Sequence, residues 1–406
     1  MTDPGATGRA AVLVVGAGPA GSATALVLAR AGLDVLLVDQ HPQGRDKVCG
    51  DGLIPDAHQA LKKLGLLDAV MARAQPVAHV GCIGPRGGRV DVPGSLAVLP
   101  RRVLDEMLCQ EAQRAGARVL APARFERPLE DASGRVCGAV LKVGDAEQEV
   151  LADWVVLATG AVPKALSAAG MCERHTPSGV ALRGYVRAPS MVGRIKAMDV
   201  VWSRAVRPGY GWIFPAPDDC FNIGVGVTDS HQAVAGKGAK KDLNLRAIFD
   251  AFVENYPPAA ELMREGELVG ELKGAPLRCT LEGARWTRPG LLVTGEAAGS
   301  TYSFTGEGIG KAMETGMLAA EALIAHQHDD AAARAQYEAA LRTLKPKFDL
   351  YERANRVNAY PWLADLLIWR AQKSERLLRR MSGVLNETSN PGNLVTWRGL
   401  TRIIWE

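Results

Sequence analysis

The sequence of 406 residues predicts an α/β fold, and three observations support this prediction. Apolar strands that run into glycine-rich turns and helical segments occur near the start of the chain and again after residue 280. Between them lie runs that alternate small and branched residues, as antiparallel strands do, and helical spacing dominates the end. We therefore predict a discontinuous first domain (1–165 and 280–330), an inserted mixed or antiparallel β-sheet domain (166–279) and a C-terminal helical region (331–406).

The first strand–turn–helix unit is "AAVLVVGAGPAGSATALVLARAGLDVLLVDQ". Gly16, Gly18 and Gly21 form a G-x-G-x-x-G pattern after an apolar strand. The first glycine permits a sharp turn, the second lets a pyrophosphate approach the backbone, and the third lets the helix at 21–31 pack on the strand. A second strand ends at Asp39, an acid placed to accept hydrogen bonds from a ribose. The unit therefore predicts a dinucleotide site.

Two later segments, "ADWVVLATGA" and "RPGLLVTGEAAG", predict further buried strands. The second runs into "SFTGEGIGKAMETGMLAAEAL", where Gly306, Gly308 and Gly310 precede a predicted helix. Glycines at these positions leave room for a flat ring against the backbone, and a helix N-terminus can stabilise negative charge on that ring.

Together these motifs resemble those of FAD proteins of the aromatic-hydroxylase type. The resemblance implies a Rossmann-like FAD-binding domain in which the first motif and Asp39 hold the ADP half, Glu296 the ribitol and the GEGI loop the isoalloxazine. Arg101, in "PRRVLDEML", matches an arginine that contacts FAD in that family, and a surface arginine at a helix start is an equal alternative. The residues predicted to bind FAD are Gly16, Gly18, Pro19, Ala20, Gly21, Asp39, Gln40, Arg45, Val48, Cys49, Gly50, Arg101, Gly295, Glu296, Gly306, Gly308 and Ile309.

The middle segment contains "RPGYGWIFPAPDD" between the runs "GVALRGYVRAP" and "FNIGVGVT". If this segment is a strand, Tyr210, Trp212 and Phe214 share one face, because side chains alternate with a period of two. We call these three residues the aromatic wall. The segment resembles the Y-x-W-x-F-P motif of the geranylgeranyl reductase family, and "DKVCGDGL" resembles the K-x-C-G-(D/G)-G loop that lies near the flavin in that family.

This second resemblance implies an FAD-dependent reductase that saturates C=C bonds of an isoprenoid or another hydrophobic substrate by hydride transfer. An unactivated alkene offers no charge to bind, so apolar and aromatic area must hold it. The candidate catalytic residues are Cys49, Tyr210 and Trp212, with Cys49 and Tyr210 as candidate proton donors. An FAD-dependent monooxygenase or a halogenase-like enzyme remains an alternative. A halogenase would need a lysine between flavin and substrate, and the sequence has no lysine from residue 64 to residue 141.

The electron donor is left open by two features of the sequence. No second G-x-G-x-x-G follows residue 21, so NAD(P)H would bind transiently or electrons would come from another reductant. In addition, Thr159-Gly160 stands where the family usually has Asp-Gly, and Glu296 stands where it usually has Asp.

Composition sets the remaining expectations. A net charge of +4 does not indicate a nucleic-acid partner, and the seven cysteines form no C-x-x-C pair, so we expect reduced thiols and no metal site. No apolar run reaches the roughly 18 residues that span a bilayer, and the start "MTDPGATGRA" lacks a signal peptide's apolar core. We therefore expect a cytoplasmic protein.

The end of the chain is basic, with 12 Arg and Lys against 6 Asp and Glu from residue 341 onward. Within "YPWLADLLIWRAQKSERLLRRM", Trp362, Leu366, Trp369 and Leu377 follow helical spacing. Such a helix could lie on an anionic membrane surface. Packing on the body of the same protein is the alternative.

Overall fold

The structure is a computed structural model, and it describes residues 8–228, 243–386 and 388–389. The strands are β1 (Arg9–Val15), β2 (Val35–Val38), β3 (Gly52–Leu53), β4 (Gln75–Ile83), β5 (Arg89–Val98), β6 (Arg118–Leu120), β7 (Arg124–Glu130), β8 (Val136–Val143), β9 (Ala146–Leu157), β10 (Gly179–Arg187), β11 (Met198–Val201), β12 (Gly209–Ala216), β13 (Cys220–Thr228), β14 (Glu267–Leu277), β15 (Thr287–Arg288) and β16 (Leu291–Val293). The helices are α1 (Pro19–Arg30), α2 (Pro55–Lys63), α3 (Leu67–Met71), α4 (Arg101–Arg114), α5 (Lys164–Ala168), α6 (Leu245–Asn255), α7 (Pro257–Glu265), α8 (Ile309–Ala325), α9 (Asp330–Ala354), α10 (Arg356–Ala359), α11 (Trp362–Ala371) and α12 (Glu375–Leu385).

The first sheet has the strand order β15-β16-β9-β1-β2-β6, and the β7–β8 hairpin joins it through β9. The five strands from β16 to β6 run parallel. This core confirms the strands predicted around the glycine motif, in "ADWVVLATGA" and in "RPGLLVTGEAAG". The parallel order brings the C-terminal ends of β1, β2, β9 and β16 to one edge, which is where open α/β sheets bind ligands.

Both faces of this sheet are covered, which explains the uninterrupted apolar runs in its strands. Val12 and Val14 of β1 pack in a cluster with helices α1, α4 and α8. Leu13 and Val15 point to the opposite face and pack with residues of β7, β8 and β9. The predicted helix at 21–31 begins two residues earlier, at Pro19, whose missing N–H costs nothing in the first turn.

The second sheet has the order β14-β10-β13-β12-β11-β4-β5-β3. Its pairs are antiparallel except for β4 with β11, which confirms a mixed sheet and the predicted antiparallel strands at 179–187 and 220–228. Strands β3 to β5, at 52–98, also belong to this sheet, although the sequence-based division placed them in the first domain. They join it because β4 pairs in register with β11, a contact between distant segments that no local pattern encodes. The division into domains remains a proposal.

The two faces of the second sheet have different partners. Gly211 and Ile213 of β12 face α6, and the added Cβ of a substituted Gly211 would meet Phe252 at 2.5 Å. Trp212 and Phe214 face the other side, toward the region covered by the C-terminal helices. The prediction that the aromatic wall shares one face is confirmed.

The C-terminal region is helical, as predicted, but residues 360–381 do not form one helix. Helices α11 and α12 are separated by a turn, and Ser374 caps α12 by accepting a hydrogen bond from the Leu377 N–H. The predicted helical spacing of Trp362, Leu366, Trp369 and Leu377 therefore does not extend to Leu377, which lies on α12 and is buried, while Trp362 and Trp369 of α11 are 60% and 48% exposed.

Parts of two sequence-based expectations lie outside the described residues. These are the first seven residues of the start "MTDPGATGRA" and the end of the basic region from residue 390 onward, which includes Arg398 and Arg402. In the described part of the chain, no helix combines the length and apolar character needed to cross a membrane.

Candidate active site

The glycine motif forms a tight cradle at the C-terminal end of β1. Gly16 has a φ of +106°, and its N–H donates to the Val38 carbonyl at 2.7 Å. A Cβ added to Gly21 would lie 1.8 Å from the Gly16 carbonyl oxygen, so only glycine lets α1 approach the strand this closely. At Gly18 an added Cβ would meet only the Arg101 guanidinium, at 3.7 Å. The cradle is therefore open at Gly18, beside the free N–H groups of α1.

Asp39 ends β2 and holds this cradle. Its Oδ2 accepts the Ala17 N–H at 2.8 Å and its Oδ1 accepts the His41 N–H at 2.9 Å. Arg45 lies 3.8 Å from Oδ1, and Gln40 is exposed beside it. The carboxylate therefore fixes the glycine turn while remaining at the sheet edge where a ribose would lie.

Arg101 is buried, with only 5% of its surface exposed, so the alternative of a surface arginine is wrong. Its guanidinium forms a two-point ion pair with Asp105, with distances of 2.6 and 2.8 Å. Because Asp105 lies one turn further along α4, the pair holds the guanidinium rigidly next to Gly18. This position suits contact with a phosphate-bearing cofactor.

The loop that contains Gly295 and Glu296 packs against α1. Gly295 has a φ of +64°, and a Cβ there would lie 2.5 Å from the Ala20 side chain. The next residue, Glu296, faces the Lys47 Nζ at 3.6 Å and accepts a hydrogen bond from the Thr301 hydroxyl at 3.4 Å.

The GEGI loop leads directly into α8, which begins at Ile309 and not after Gly310. Gly306 has a φ of +70°, and a Cβ there would lie 2.7 Å from the Tyr210 hydroxyl oxygen. That hydroxyl donates a hydrogen bond to the Thr305 carbonyl. Tyr210 of the aromatic wall thus supports the GEGI loop, and α8 begins at the end of that loop.

These pieces surround one cavity of about 370 Å³. Predicted residues that line it are Gly18, Pro19, Ala20, Val48, Cys49, Gly50, Arg101, Tyr210, Trp212, Glu296, Gly306, Gly308 and Ile309. Predicted residues outside the lining are Gly16, Gly21, Asp39, Gln40, Arg45 and Gly295, which build the cradle, the loop or the adjoining sheet edge.

The residues present fit FAD. The open backbone at Gly18 with the N-terminus of α1 suits a pyrophosphate, and Asp39 suits a ribose. The glycines of the GEGI loop, at the N-terminus of α8, leave space for a flat ring with anionic character.

The aromatic wall lines the same cavity, and its Tyr210 contacts the GEGI loop. Its ring centroids are 6.2 Å apart for Tyr210 and Trp212 and 6.4 Å for Trp212 and Phe214. Two residues that the sequence analysis missed extend it: Trp202 lies 6.4 Å from Tyr210, and Phe304 stacks on Trp202 at 6.3 Å. They come from separate segments, so no local pattern marked them.

Buried asparagines hold the two indoles in place. Trp212 Nε1 donates to Asn222 Oδ1 at 2.9 Å, and Trp202 Nε1 donates to Asn358 Oδ1 at 2.8 Å. Asn358 also donates to the Phe304 carbonyl at 3.0 Å. Because each indole N–H is satisfied, the aromatic surface faces the cavity without an unpaired donor.

The loop around Cys49 closes the cavity on one side. Gly50 packs so closely on Phe214 that an added Cβ would lie 3.1 Å from its ring. The Cys49 thiol is half-buried and accepts the Asp51 N–H at 3.3 Å. Burial raises the pKa of the Cys49 thiol above its usual range, in spite of the nearby Arg101. The thiol is therefore protonated at neutral pH.

Asp51 is a fully buried acid in the cavity lining that the sequence analysis did not select. Its Oδ2 accepts from the Tyr185 hydroxyl and, at 2.8 Å, from Asn222 Nδ2, while its Oδ1 accepts the Arg101 N–H at 3.2 Å. Burial raises the pKa of Asp51 to about 6, against the opposing effect of these hydrogen bonds and of Arg183. The signal in the sequence was an acid between two glycines of a motif already noted.

Lys47 is a second cavity residue that was not predicted from the sequence, and it weakens the argument from lysine positions against a halogenase-like enzyme. The gap in lysines from residue 64 to residue 141 suggested that no lysine reaches the cavity, yet Lys47 lines it. Its ammonium group lies 3.6 Å from the Glu296 carboxylate.

Comparisons with known proteins identify the relatives of this chain. Residues 9–205 match a family model described as FAD binding domain. The chain is 34% identical to the menaquinone reductase of Mycolicibacterium smegmatis, over 77% of this chain and 76% of that protein. It is 30% identical to digeranylgeranylglycerophospholipid reductase 1 of Methanopyrus kandleri, over 79% of this chain and 82% of that protein.

Solved structures share the fold. A geranylgeranyl bacteriochlorophyll reductase-like protein from Thermoplasma acidophilum aligns with a TM-score of 0.72 at 23% identity, over 98% of this chain and 96% of that one. A flavin-dependent brominase aligns with a TM-score of 0.76 at 19% identity, over 98% of each chain, so the fold alone does not decide the reaction.

The fold and the site thus define an FAD-dependent oxidoreductase. Within this class, the chain belongs to the geranylgeranyl reductase family of flavoproteins.

Proposed function

We propose that this enzyme saturates C=C bonds in the isoprenoid part of a hydrophobic substrate. The observation that carries the proposal is one cavity with two different sides. Glycine loops and helix N-termini that fit FAD form one side, and the aromatic wall forms the other. A substrate alkene held between them would lie against the flavin ring.

The far end of the cavity is apolar. Its lining comes from the second sheet and from helices α11 and α12, and includes Val80, Val92, Met198, Val200, Leu367, Ile368, Met381, Val384 and Leu385. Burying a hydrocarbon group gains about 0.8 kcal/mol per CH₂, so each five-carbon isoprene unit adds several kcal/mol to binding. A prenyl chain needs no charged partner, which matches this lining.

The chemistry that bound, reduced FAD supplies is a hydride for one alkene carbon, and the other carbon needs a proton. The Cys49 thiol lines the cavity and is protonated at neutral pH, so it is our candidate for the proton donor. The Tyr210 hydroxyl is a weaker candidate because it already donates a hydrogen bond to the Thr305 carbonyl. We propose NAD(P)H or another transient reductant as the electron source.

The relatives support reduction as the reaction. Both are named as reductases, one of menaquinone and one of digeranylgeranylglycerophospholipid.

The test is anaerobic turnover. The flavin of the purified protein is reduced without oxygen, a polyprenyl alkene is added, and flavin reoxidation is followed together with the product mass. We expect reoxidation with a product about two mass units heavier, and slower reoxidation in Cys49→Ala that still binds FAD. Reoxidation that requires oxygen and adds about sixteen mass units would replace the proposal by a monooxygenase.

We also propose that the α11 region contacts an anionic membrane surface. Tyr360, Trp362 and Trp369 are exposed, and Lys373 lies 4.6 Å from the Trp369 ring, while α11 packs on the body through Ala364 and other buried residues. Aromatic rings next to cations suit the interface of a bilayer. Co-sedimentation with vesicles containing anionic lipid should fall in a Trp362→Ala/Trp369→Ala double variant. Equal sedimentation of the variant and the wild type would refute this contact.

A further inference from the structure

The loop that presents Cys49 is held by Asp51. Asp51 has a φ of +62°, a left-handed conformation that non-glycine residues adopt infrequently. In this conformation its N–H points back at the Cys49 Sγ, at 3.3 Å. Residues held in such conformations at active sites are commonly part of the site's function.

The carboxylate of Asp51 joins the elements that meet at this loop. It accepts hydrogen bonds from Tyr185 of β10, from Asn222 of β13 and from the N-terminal N–H of α4. Asn222 in turn donates to the Cys49 carbonyl at 2.8 Å and accepts from Trp212. One carboxylate therefore connects the thiol loop, the aromatic wall and the start of α4.

We propose that Asp51 is a positioning residue for the Cys49 thiol, which it aims by its backbone N–H and beside which it places a carboxylate that disfavours the thiolate. The inference rests on the proposed function only in giving the thiol a catalytic use. The thiol itself can be measured without substrate.

The charges around the thiol support this role. The Cys49 thiol is next to the Arg101 guanidinium, which favours a thiolate, and to the Asp51 carboxylate, which opposes one. Asp105 neutralises Arg101 through its ion pair. The polar and charged side chains that face the Asp51 carboxylate are Tyr185 and Arg183 of β10, Asn222 of β13 and Arg101 of α4. A neutral residue at position 51 would remove the negative charge that disfavours the Cys49 thiolate and leave Arg101 paired with Asp105.

The experiment measures how fast iodoacetamide alkylates Cys49 at a series of pH values, by mass spectrometry of its peptide, in FAD-loaded protein. We compare the wild type with Asp51→Asn, because asparagine tolerates the left-handed conformation. We expect the alkylation midpoint to move down by about one pH unit when the neighbouring negative charge is removed. The control is Asp46→Asn, which removes a charge from the same loop at a carboxylate that faces Arg183 and Lys273, and should leave the midpoint unchanged.

A second measurement, on the wild type and Tyr185→Phe, tests the proposal even if Asp51→Asn folds poorly. In the wild type, the logarithm of the alkylation rate should show a break near pH 6, where Asp51 titrates. Tyr185→Phe removes a hydrogen bond to the charged carboxylate, so this break should move to higher pH. An unchanged midpoint in Asp51→Asn, or a wild-type profile without a break, would overturn the proposal and leave the proposed alkene reduction standing.

Discussion

The two sides of the active site are formed by different parts of the polypeptide: mainly backbone on one side and side chains on the other. The nucleotide-binding side consists of backbone: the Gly16–Gly21 turn, the GEGI loop and two helix N-termini leave space and present N–H groups. The substrate side consists of side chains from distant segments, among them Trp202, Trp212 and Leu385. On the first side, Gly16 and Gly21 tolerate no added atoms, because a Cβ there would meet backbone, whereas the second side depends on which side chains fill it.

This difference explains what each side contributes. A backbone cradle depends mainly on glycine spacing, together with a few side chains such as Asp39, Arg101 and Glu296. A cavity wall made of side chains can change its substrate by substitution without disturbing the cradle. The following predictions separate the two sides, beginning with the largest effect.

The largest effect is expected from Gly21→Val, on the backbone side. The added Cβ would lie 1.8 Å from the Gly16 carbonyl oxygen and 3.2 Å from the Ala158 side chain, so the strand and helix must move apart. We expect loss of more than about 3 kcal/mol in the free energy of unfolding and loss of bound FAD. Urea denaturation and the flavin absorbance of the purified protein measure both.

Gly18→Ala is the matched control in the same motif. Its added Cβ meets only the Arg101 guanidinium, at 3.7 Å, and its φ of −80° suits alanine. We expect normal stability but an FAD dissociation constant raised about tenfold, because a methyl group would stand where the pyrophosphate approaches. If Gly18→Ala destabilised the fold as much as Gly21→Val, the open cradle would be refuted.

On the substrate side, Trp212→Ala should reduce both stability and substrate binding while leaving FAD bound. Removing a buried aromatic side chain costs about 3–5 kcal/mol. Loss of its contact should raise KM about tenfold, since a tenfold change corresponds to about 1.4 kcal/mol. Trp369→Ala is the control, because Trp369 is exposed and outside the cavity lining, and it should change neither value. Loss of FAD from Trp212→Ala would contradict the separation of the two sides.

The same division decides what the sequence could predict. The glycine cradle, the acid ending β2 and the flavin loop follow from local spacing, because the chain positions that build them are adjacent. The aromatic wall also followed from a local pattern, the alternation along β12. In contrast, Trp202, Phe304 and the lining from α11 and α12 meet the wall only through tertiary packing, and β4 joins the second sheet through a long-range pairing. Asp51 and Lys47 lay inside a noted motif, but only their burial and partners mark them as part of the site.

The next prediction concerns pH. Burial raises the pKa of Asp51 to about 6 in the folded protein, compared with 3.8 for an ordinary aspartate. The folded state then binds this proton more tightly than the unfolded state. The contribution of Asp51 is therefore fully present at low pH and is lost as the pH rises through 6. Between pH 5 and pH 7, the free energy of unfolding of the wild type should fall by about 1 kcal/mol relative to Asp51→Asn.

Asp46→Asn provides the contrast for that measurement. Although burial opposes it, the hydrogen bonds and charges of Arg183 and Lys273 hold the pKa of Asp46 below its usual range. The stabilisation from Asp46 is therefore present above pH 4 and is lost only in more acidic solution. Urea denaturation at pH 5, 6 and 7 should give a constant difference between this variant and the wild type. A constant difference for Asp51→Asn as well would show that Asp51 does not titrate in this range.

The smallest effect is expected from Tyr210→Phe, at the contact between the two sides. The Tyr210 hydroxyl supports the GEGI loop, because it donates a hydrogen bond to the Thr305 carbonyl. Burial raises the pKa of Tyr210 above its usual range, so this hydroxyl keeps its proton. We expect a loss of about 1 kcal/mol in stability and turnover within about threefold of the wild type. Tyr337→Phe is the control, because its buried hydroxyl donates to the Val293 carbonyl at 2.8 Å on the nucleotide-binding side. It should cost similar stability and leave turnover unchanged. A fall in turnover of more than about a hundredfold in Tyr210→Phe alone would instead make Tyr210 the proton donor, since general acid catalysis contributes about that much or more.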